Sequence, residues 1–200
     1  TLGEVTRPTT QVDTVVVVDE HTFRPWIAAD VPFLWDMLHL ALFVPVGAEP
    51  LPRSVLDEPK VAHYLRSFGE RTGDDAQVCE GSDGPVGAAW CRKLDSTDPG
   101  YGYVADEVPE LGMAIVGSWR GRGIGRRLLG DLLQRHPAMS LSVDDANTAA
   151  VELYRSLGFR PVASAAGSTT MARTQREVPS ALLLEQPRPP QTNPDEQDSS

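Results

Sequence analysis

Three glycines alternate with two arginines and an isoleucine in the run Arg120-Gly121-Arg122-Gly123-Ile124-Gly125. The residues before it, 110–116, have the composition of a strand. Those after it, Ile124, Leu128, Leu129, Leu132 and Leu133, repeat with the period of a helix face. A glycine-rich turn from strand to helix can bring backbone N–H groups together on an anion at the positive end of the helix. Glycine is needed there because a Cβ would hold the backbone away from a phosphate. Arginine side chains add charge-assisted bonds. Several chemistries use such a turn. A nucleoside-triphosphate loop requires Gly-Lys-Ser/Thr, and here Gly125 is followed by Arg126 and Arg127. A dinucleotide fingerprint requires a third glycine where this chain has Arg126. A turn with no ligand stays open as an alternative, although glycines alternating with arginines are an unusual way to build one.

Other residues stand at regular distances from this run. Glu110 opens the strand before it. Asn147 precedes a helical stripe of Ala150, Leu153, Tyr154 and Leu157, closed by Gly158 where a helix C-terminus wants a left-handed residue. Taken together, Arg120-x-x-Gly123-x-Gly125 resembles the acetyl-CoA signature of the GCN5-related N-acetyltransferases. In the same way, 84–90 resembles the third strand of that family, 110–116 its fourth, Leu141-Ser142-Val143 its fifth, and Asn147 with 153–159 its fourth helix. The resemblance runs over residues 22–173 with the elements in the family's order.

The resemblance implies an α/β (α+β) fold. Its sheet is central, mixed and mostly antiparallel, with six to seven strands, splayed fourth and fifth strands, and helices on both faces. It implies acetyl-CoA as cosubstrate, without a metal. The pyrophosphate would rest on Arg120, Gly121, Arg122, Gly123, Ile124, Gly125 and Arg126. The pantetheine arm would lie against the backbone of Met113, Ala114, Ile115 and Val116, and Asn147 would bond the arm. One strand N–H would polarise the thioester carbonyl. The attacking amine must lose a proton, and Glu110 is the candidate base, acting through water. Tyr154 would protonate the departing thiolate. Each has a plainer reading: a solvated strand-end carboxylate for Glu110, core packing beside Leu153 and Leu157 for Tyr154. The function implied is transfer of an acetyl group to a primary amine of a small molecule or peptide. A module of the same fold that binds acyl-CoA without turning it over is the alternative.

The elements that must position these residues are legible in outline. Residues 22–27 read as a strand. Asp30 and Pro32 open a helix with the stripe Leu34, Met37, Leu38 and Ala41, and Asp57 and Pro59 open a second with Val61, Tyr64, Leu65 and Phe68. Residues 76–80 and 85–94 read as a hairpin around 81–84, and 139–143, 159–162 and 168–172 as further strands. The 95–109 segment is a long loop, and such loops are often functional. With 45–52 it is expected to hold the acceptor, and its Tyr101, Tyr103, Asp106 and Glu107 suit a cationic or aromatic one. His39 and His63 read as packing or surface residues.

Residues 1–21 read as a flexible lead or an extra strand, 22–173 as the catalytic domain, and 174–200 as a disordered tail rich in Pro and acids, with 181–184 as a short apolar motif. The net charge of −10 argues against nucleic acid as a partner. No apolar run approaches a membrane span. Two cysteines, Cys79 and Cys91, form neither a disulfide framework nor a metal spacing, so a reducing cytoplasm is the simplest setting. A monomer or homodimer is expected.

Overall fold

The computed structural model describes residues 21–44, 47–165 and 167–174; the expected lead, the tail and the 181–184 motif lie outside them. The strands are β1 (Thr22–Pro25), β2 (Asp75–Gly81), β3 (Gly84–Arg92), β4 (Glu110–Ile115), β5 (Met139–Asp144), β6 (Arg160–Ala165) and β7 (Ser168–Arg173). The helices are α1 (Val31–Ala41), α2 (Pro59–Ala62), α3 (Ile124–Arg135) and α4 (Thr148–Ser156). The strands form one sheet in the order β1-β2-β3-β4-β5-β7-β6. Every neighbouring pair is antiparallel except β4 and β5, which run parallel.

Side chains alternate across a strand, so each strand feeds two cores. On one face Ala76, Val78, Ala88, Trp90 and Ala114 pack with Leu34, Met37 and Leu38 of α1 and with Val61, Tyr64, Leu65 and Phe68. On the other, Cys79, Ala89, Cys91 and Leu111 pack with Ile124, Leu128, Leu129 and Leu132 of α3 and with Tyr154. The mixed seven-stranded sheet with helices on both faces is the fold that the resemblance implies. Cys79 and Cys91 are buried free thiols.

Two local expectations need correction. Asp30 holds the N-cap position of α1, yet its carboxylate does not cap that helix. It accepts instead from Ile27 N and from two nitrogens of Arg24. The second helix is shorter than its apolar stripe, ending at Ala62, and the chain continues to Phe68 as a series of turns. The cause is Arg92, fully buried on β3. Its guanidinium takes the carbonyls of His63, Arg66 and Ser67, the first of which a helix continuing to Phe68 would have claimed. Ser67 turns to φ 52°.

A candidate active site between two diverging strands

Strands β4 and β5 pair at one position, Glu110 opposite Ser140, supported by Ser140 N donating to the carbonyl of Pro109. Beyond it they part. Val116 donates its N–H to Val86, so antiparallel alternation turns the amides of the even-numbered residues of β4 toward β3. Those of Met113 and Ile115 face the gap, whereas Ala114 and Val116 present theirs to β3.

A cavity of about 680 Å³ occupies this divergence. Met113, Ala114, Ile115, Arg120, Gly121, Gly123, Ile124, Gly125, Arg126, Asn147 and Tyr154 all line it. The glycine-rich turn meets the cavity at the start of α3. Gly121 and Gly123 have φ of 77° and 79°, where L side chains are strained, and among the described residues nothing beyond the adjoining residues lies within 4 Å of a Cβ built on either. The first helical bond of α3 runs from Arg127 N to Gly123 O. The amides of Ile124, Gly125 and Arg126 precede it and have no partner within the helix. Gly125 is close-packed instead, its Cβ position 3.3 Å from Ile115 Cδ1 and from Leu153 Cδ2. Arg120 and Arg126 are exposed, tied lightly to the Ile115 carbonyl and the Ser156 hydroxyl. Arg122 turns the other way, donating to Ser118 O and lying 4.6 Å from the Trp119 ring centroid. Neither Arg122 nor Val116 lines the cavity.

Both ends of α4 are fixed by local chemistry. Asn147 Oδ1 accepts from Ala150 N, a side-chain cap that leaves its amide nitrogen free to donate. At the other end Gly158 adopts φ 92°, Gly158 N donates to Arg155 O, and Phe159 N donates to Tyr154 O. This is the six-to-one, five-to-two pattern that closes a helix on glycine. The accompanying apolar contact is between Tyr154 and Phe159, ring centroids 5.8 Å apart. Thus the Leu-Gly-Phe sequence locks the turn that carries Tyr154. Its ring is buried, but its hydroxyl makes no hydrogen bond among the described residues. Burial pushes that phenol up to about 12, so it keeps its proton throughout the neutral range.

Glu110 lies outside the cavity lining, beneath the 95–109 loop. It is 3% exposed, which removes the solvated strand-end reading. Tyr64 Oη donates to Glu110 Oε1 at 2.5 Å, and Gly102 N donates to the same oxygen at 2.6 Å. Burial raises this carboxyl to about 7, and the two hydrogen bonds pull it back only in part. A folded pKa above the ordinary value means that stability is full below the ordinary carboxylate range and is lost as pH rises through about 7. We therefore expect Glu110→Gln to flatten the decline of Tm between pH 5 and pH 8; an unchanged slope would contradict this burial.

Tyr101, Tyr103, Asp106 and Glu107, expected to meet the acceptor, do not line the cavity. The loop uses two of them on itself: Asp106 accepts from Ser96 N and from the Tyr103 hydroxyl. The opposite wall comes from the end of α1 and the chain after it, including His39, Leu42, Phe43, Pro50 and Leu51; of the 45–52 segment, 45 and 46 lie outside the described residues. His39 is expected from the sequence as a packing or surface residue. It does line this wall, with Nε2 2.9 Å from Leu51 O. Its place two residues before the end of α1, just past the stripe positions Leu34, Met37 and Leu38, is the available signal. Among the described residues no cluster of His, Cys, Asp or Glu is placed to hold a metal, and no helix is long and apolar enough to cross a membrane.

Comparison with known proteins points the same way. Residues 37–159 match the family model described as the Acetyltransferase (GNAT) family. The N-alpha-acetyltransferase RimI of Mycobacterium tuberculosis is 34% identical over 119 residues, 58% of this chain and 66% of that protein. An uncharacterised protein of Mycobacterium leprae is also 34% identical, over 118 residues, 58% of this chain and 29% of the other. The matched segment thus spans less than two thirds of either relative. In structure, yncA of Salmonella typhimurium, solved with its cofactor acetyl-CoA, superposes with a TM-score of 0.55 at 18% identity, covering 78% of this chain and 95% of that one.

Proposed function

The chain belongs to the acetyltransferase (GNAT) family, and from that membership we propose that it is an acetyl-CoA-dependent N-acetyltransferase acting on a primary amine. The observation that carries this reading is the convergence, on one cavity, of the glycine-rich start of α3, the gap-facing amides of Met113 and Ile115, and Tyr154, whose hydroxyl has no hydrogen-bond partner among the described residues. The relative named N-alpha-acetyltransferase favours the α-amine of a polypeptide as the acceptor. We assign the catalytic domain to residues 22–173.

Acetyl-CoA fits the residues present. Gly121 and Gly123 offer a backbone surface that a Cβ would obstruct, and the first-turn amides of α3 suit a pyrophosphate, with Arg120 and Arg126 beside them. The Asn147 amide nitrogen and the edge of β4 suit the amides of the pantetheine arm. When bound, the thioester supplies the acyl carbon. The amine nitrogen forms the new bond to that carbon as the carbon–sulfur bond breaks. The amine proton passes through water to Glu110, and the Tyr154 hydroxyl proton goes to the departing sulfur. An N–H of Met113 or Ile115 stabilises the carbonyl oxygen as it gains charge.

Calorimetry with acetyl-CoA tests the first half. We expect a Kd in the micromolar range, roughly −8 kcal/mol, and weakening by about tenfold in Gly123→Val, where a β-branched residue meets a left-handed φ and stands in the path of the phosphates. Equal affinity in a natively folded variant would place the phosphates elsewhere. The acidic limb of the pH–rate profile tests the second half: Glu110→Gln should abolish it, and its survival would remove Glu110 as the base.

A further inference from the structure

We propose that Tyr64, together with the backbone of Gly100 and Gly102, positions the Glu110 carboxylate and couples it to the docking of the 95–109 loop. This rests on the reading above that Glu110 takes the amine proton. Tyr64 comes from the irregular turns after α2, 46 positions away from Glu110 in sequence. Its hydroxyl accepts from Tyr101 N at 2.8 Å and donates to Glu110 Oε1 at 2.5 Å. A phenol has one proton to give, so with an amide on its acceptor side that proton is committed to the carboxylate.

The two carboxylate oxygens are thereby made unequal. Oε1 accepts from both Tyr64 and Gly102, whereas Oε2 makes no hydrogen bond among the described residues and is the oxygen left to take a proton. The loop closes directly on this arrangement. A Cβ at Gly100 would fall 2.1 Å from Glu110 Oε2 and 2.6 Å from Tyr64 Oη, and one at Gly102 would fall 2.3 Å from the Leu141 carbonyl carbon. Only glycine fits at either place. Asp98 latches the loop beside them, accepting from Lys60 and lying 3.0 Å from His63 Nδ1, so the segment that carries Tyr64 also anchors the loop.

Loop docking and carboxylate geometry are therefore one arrangement. Among the described residues Tyr64 bonds Glu110, Tyr101 comes near it from the loop, its β3 partner Arg92 has its guanidinium engaged by Asp74, and its β5 partner is the uncharged Ser140. His63, beside Tyr64, is held below its ordinary value by burial, which the Asp98 carboxylate opposes. Among the described residues only Tyr64 Oη and Gly102 N donate to the carboxylate. Losing the Tyr64 hydroxyl removes one of two bonds that favour its ionised form.

The test reads Glu110 directly. In protein labelled with carbonyl-13C glutamate, the Glu110 resonance is the one absent from Glu110→Gln. Tyr64→Phe keeps the ring, and its Glu110 midpoint should move up by about one pH unit, the worth of one hydrogen bond to a charged group. Replacing Tyr64 by 3-fluorotyrosine, a stronger donor in the same shape, should move it down. The acidic limb of acetyl transfer to a hexapeptide beginning with alanine should follow both shifts, with KM for acetyl-CoA unchanged. A lower Tm with an unmoved midpoint in both variants would overturn the proposal and leave Tyr64 as packing. A midpoint that moves while the rate limb stays fixed would uphold the coupling and overturn Glu110 as the base.

Discussion

Tyr154→Phe is expected to lower kcat by about 10²-fold while acetyl-CoA affinity stays within a few-fold. The variant keeps the ring that packs against Phe159 and removes only the hydroxyl of this cavity-lining residue, which has no partner among the described residues. No structural hydrogen bond is lost, so Tm should hardly move. Burial keeps the phenol protonated, at about 12, which is the state a donor to a departing thiolate needs. A fall in kcat without a fall in affinity is the pattern of an interaction made only in the transition state. Undiminished turnover would return Tyr154 to a packing role.

Arg92→Met is expected to cost about 3–5 kcal/mol of stability, read as a lower urea midpoint. Arg92 is fully buried, and all five of its N–H groups are used. Nε and Nη2 grip Asp74, Nη1 takes the carbonyls of His63 and Arg66, and Nη2 also reaches Ser67 O. The guanidinium lies 5.3 Å from the Phe68 ring centroid. Methionine would fill much of the space but would strand a carboxylate and three carbonyls. Asp74 keeps bonds from Gly69 N and Arg71 N, which offsets part of the loss. The damage should also reach the site, because the segment freed from Arg92 carries Tyr64. A loss below about 1 kcal/mol, the range of an exposed pair, would show that this ion pair is not the anchor of the 63–69 turns.

What the sequence revealed and what it hid divide along physical lines. The turn 120–125, the cap at Asn147 and the Gly158 closure are local: each depends on residues within a few positions, so their types are enough to predict their conformation. The strands of the hairpin and both long helices follow from periodicity for the same reason. The environment of Glu110 is not local. It depends on Tyr64 from one segment and Gly102 from another, and on two glycines whose smallness matters only once the loop has docked. The second helix misled because its stripe Val61, Tyr64, Leu65 and Phe68 is a true core face, while the carbonyls behind it are claimed by an arginine from β3. Tyr103 and Asp106 misled in the opposite sense: polar loop residues that look free for a ligand bond each other and their own backbone.

The most direct test of acetyl transfer in the β4–β5 cavity is a single reaction. Purified protein, acetyl-CoA and a panel of peptides with free α-amines are combined, free CoA thiol is followed, and the peptides are weighed by mass spectrometry. Thiol release matched by acetylation of at least one α-amine, lowered about tenfold in Gly123→Val at limiting acetyl-CoA and slowed about 10²-fold in Tyr154→Phe, is the expected result. Micromolar acetyl-CoA binding with no acetylated peptide and no thiol release beyond the uncatalysed rate would contradict it, and would leave a protein that holds acyl-CoA without using it.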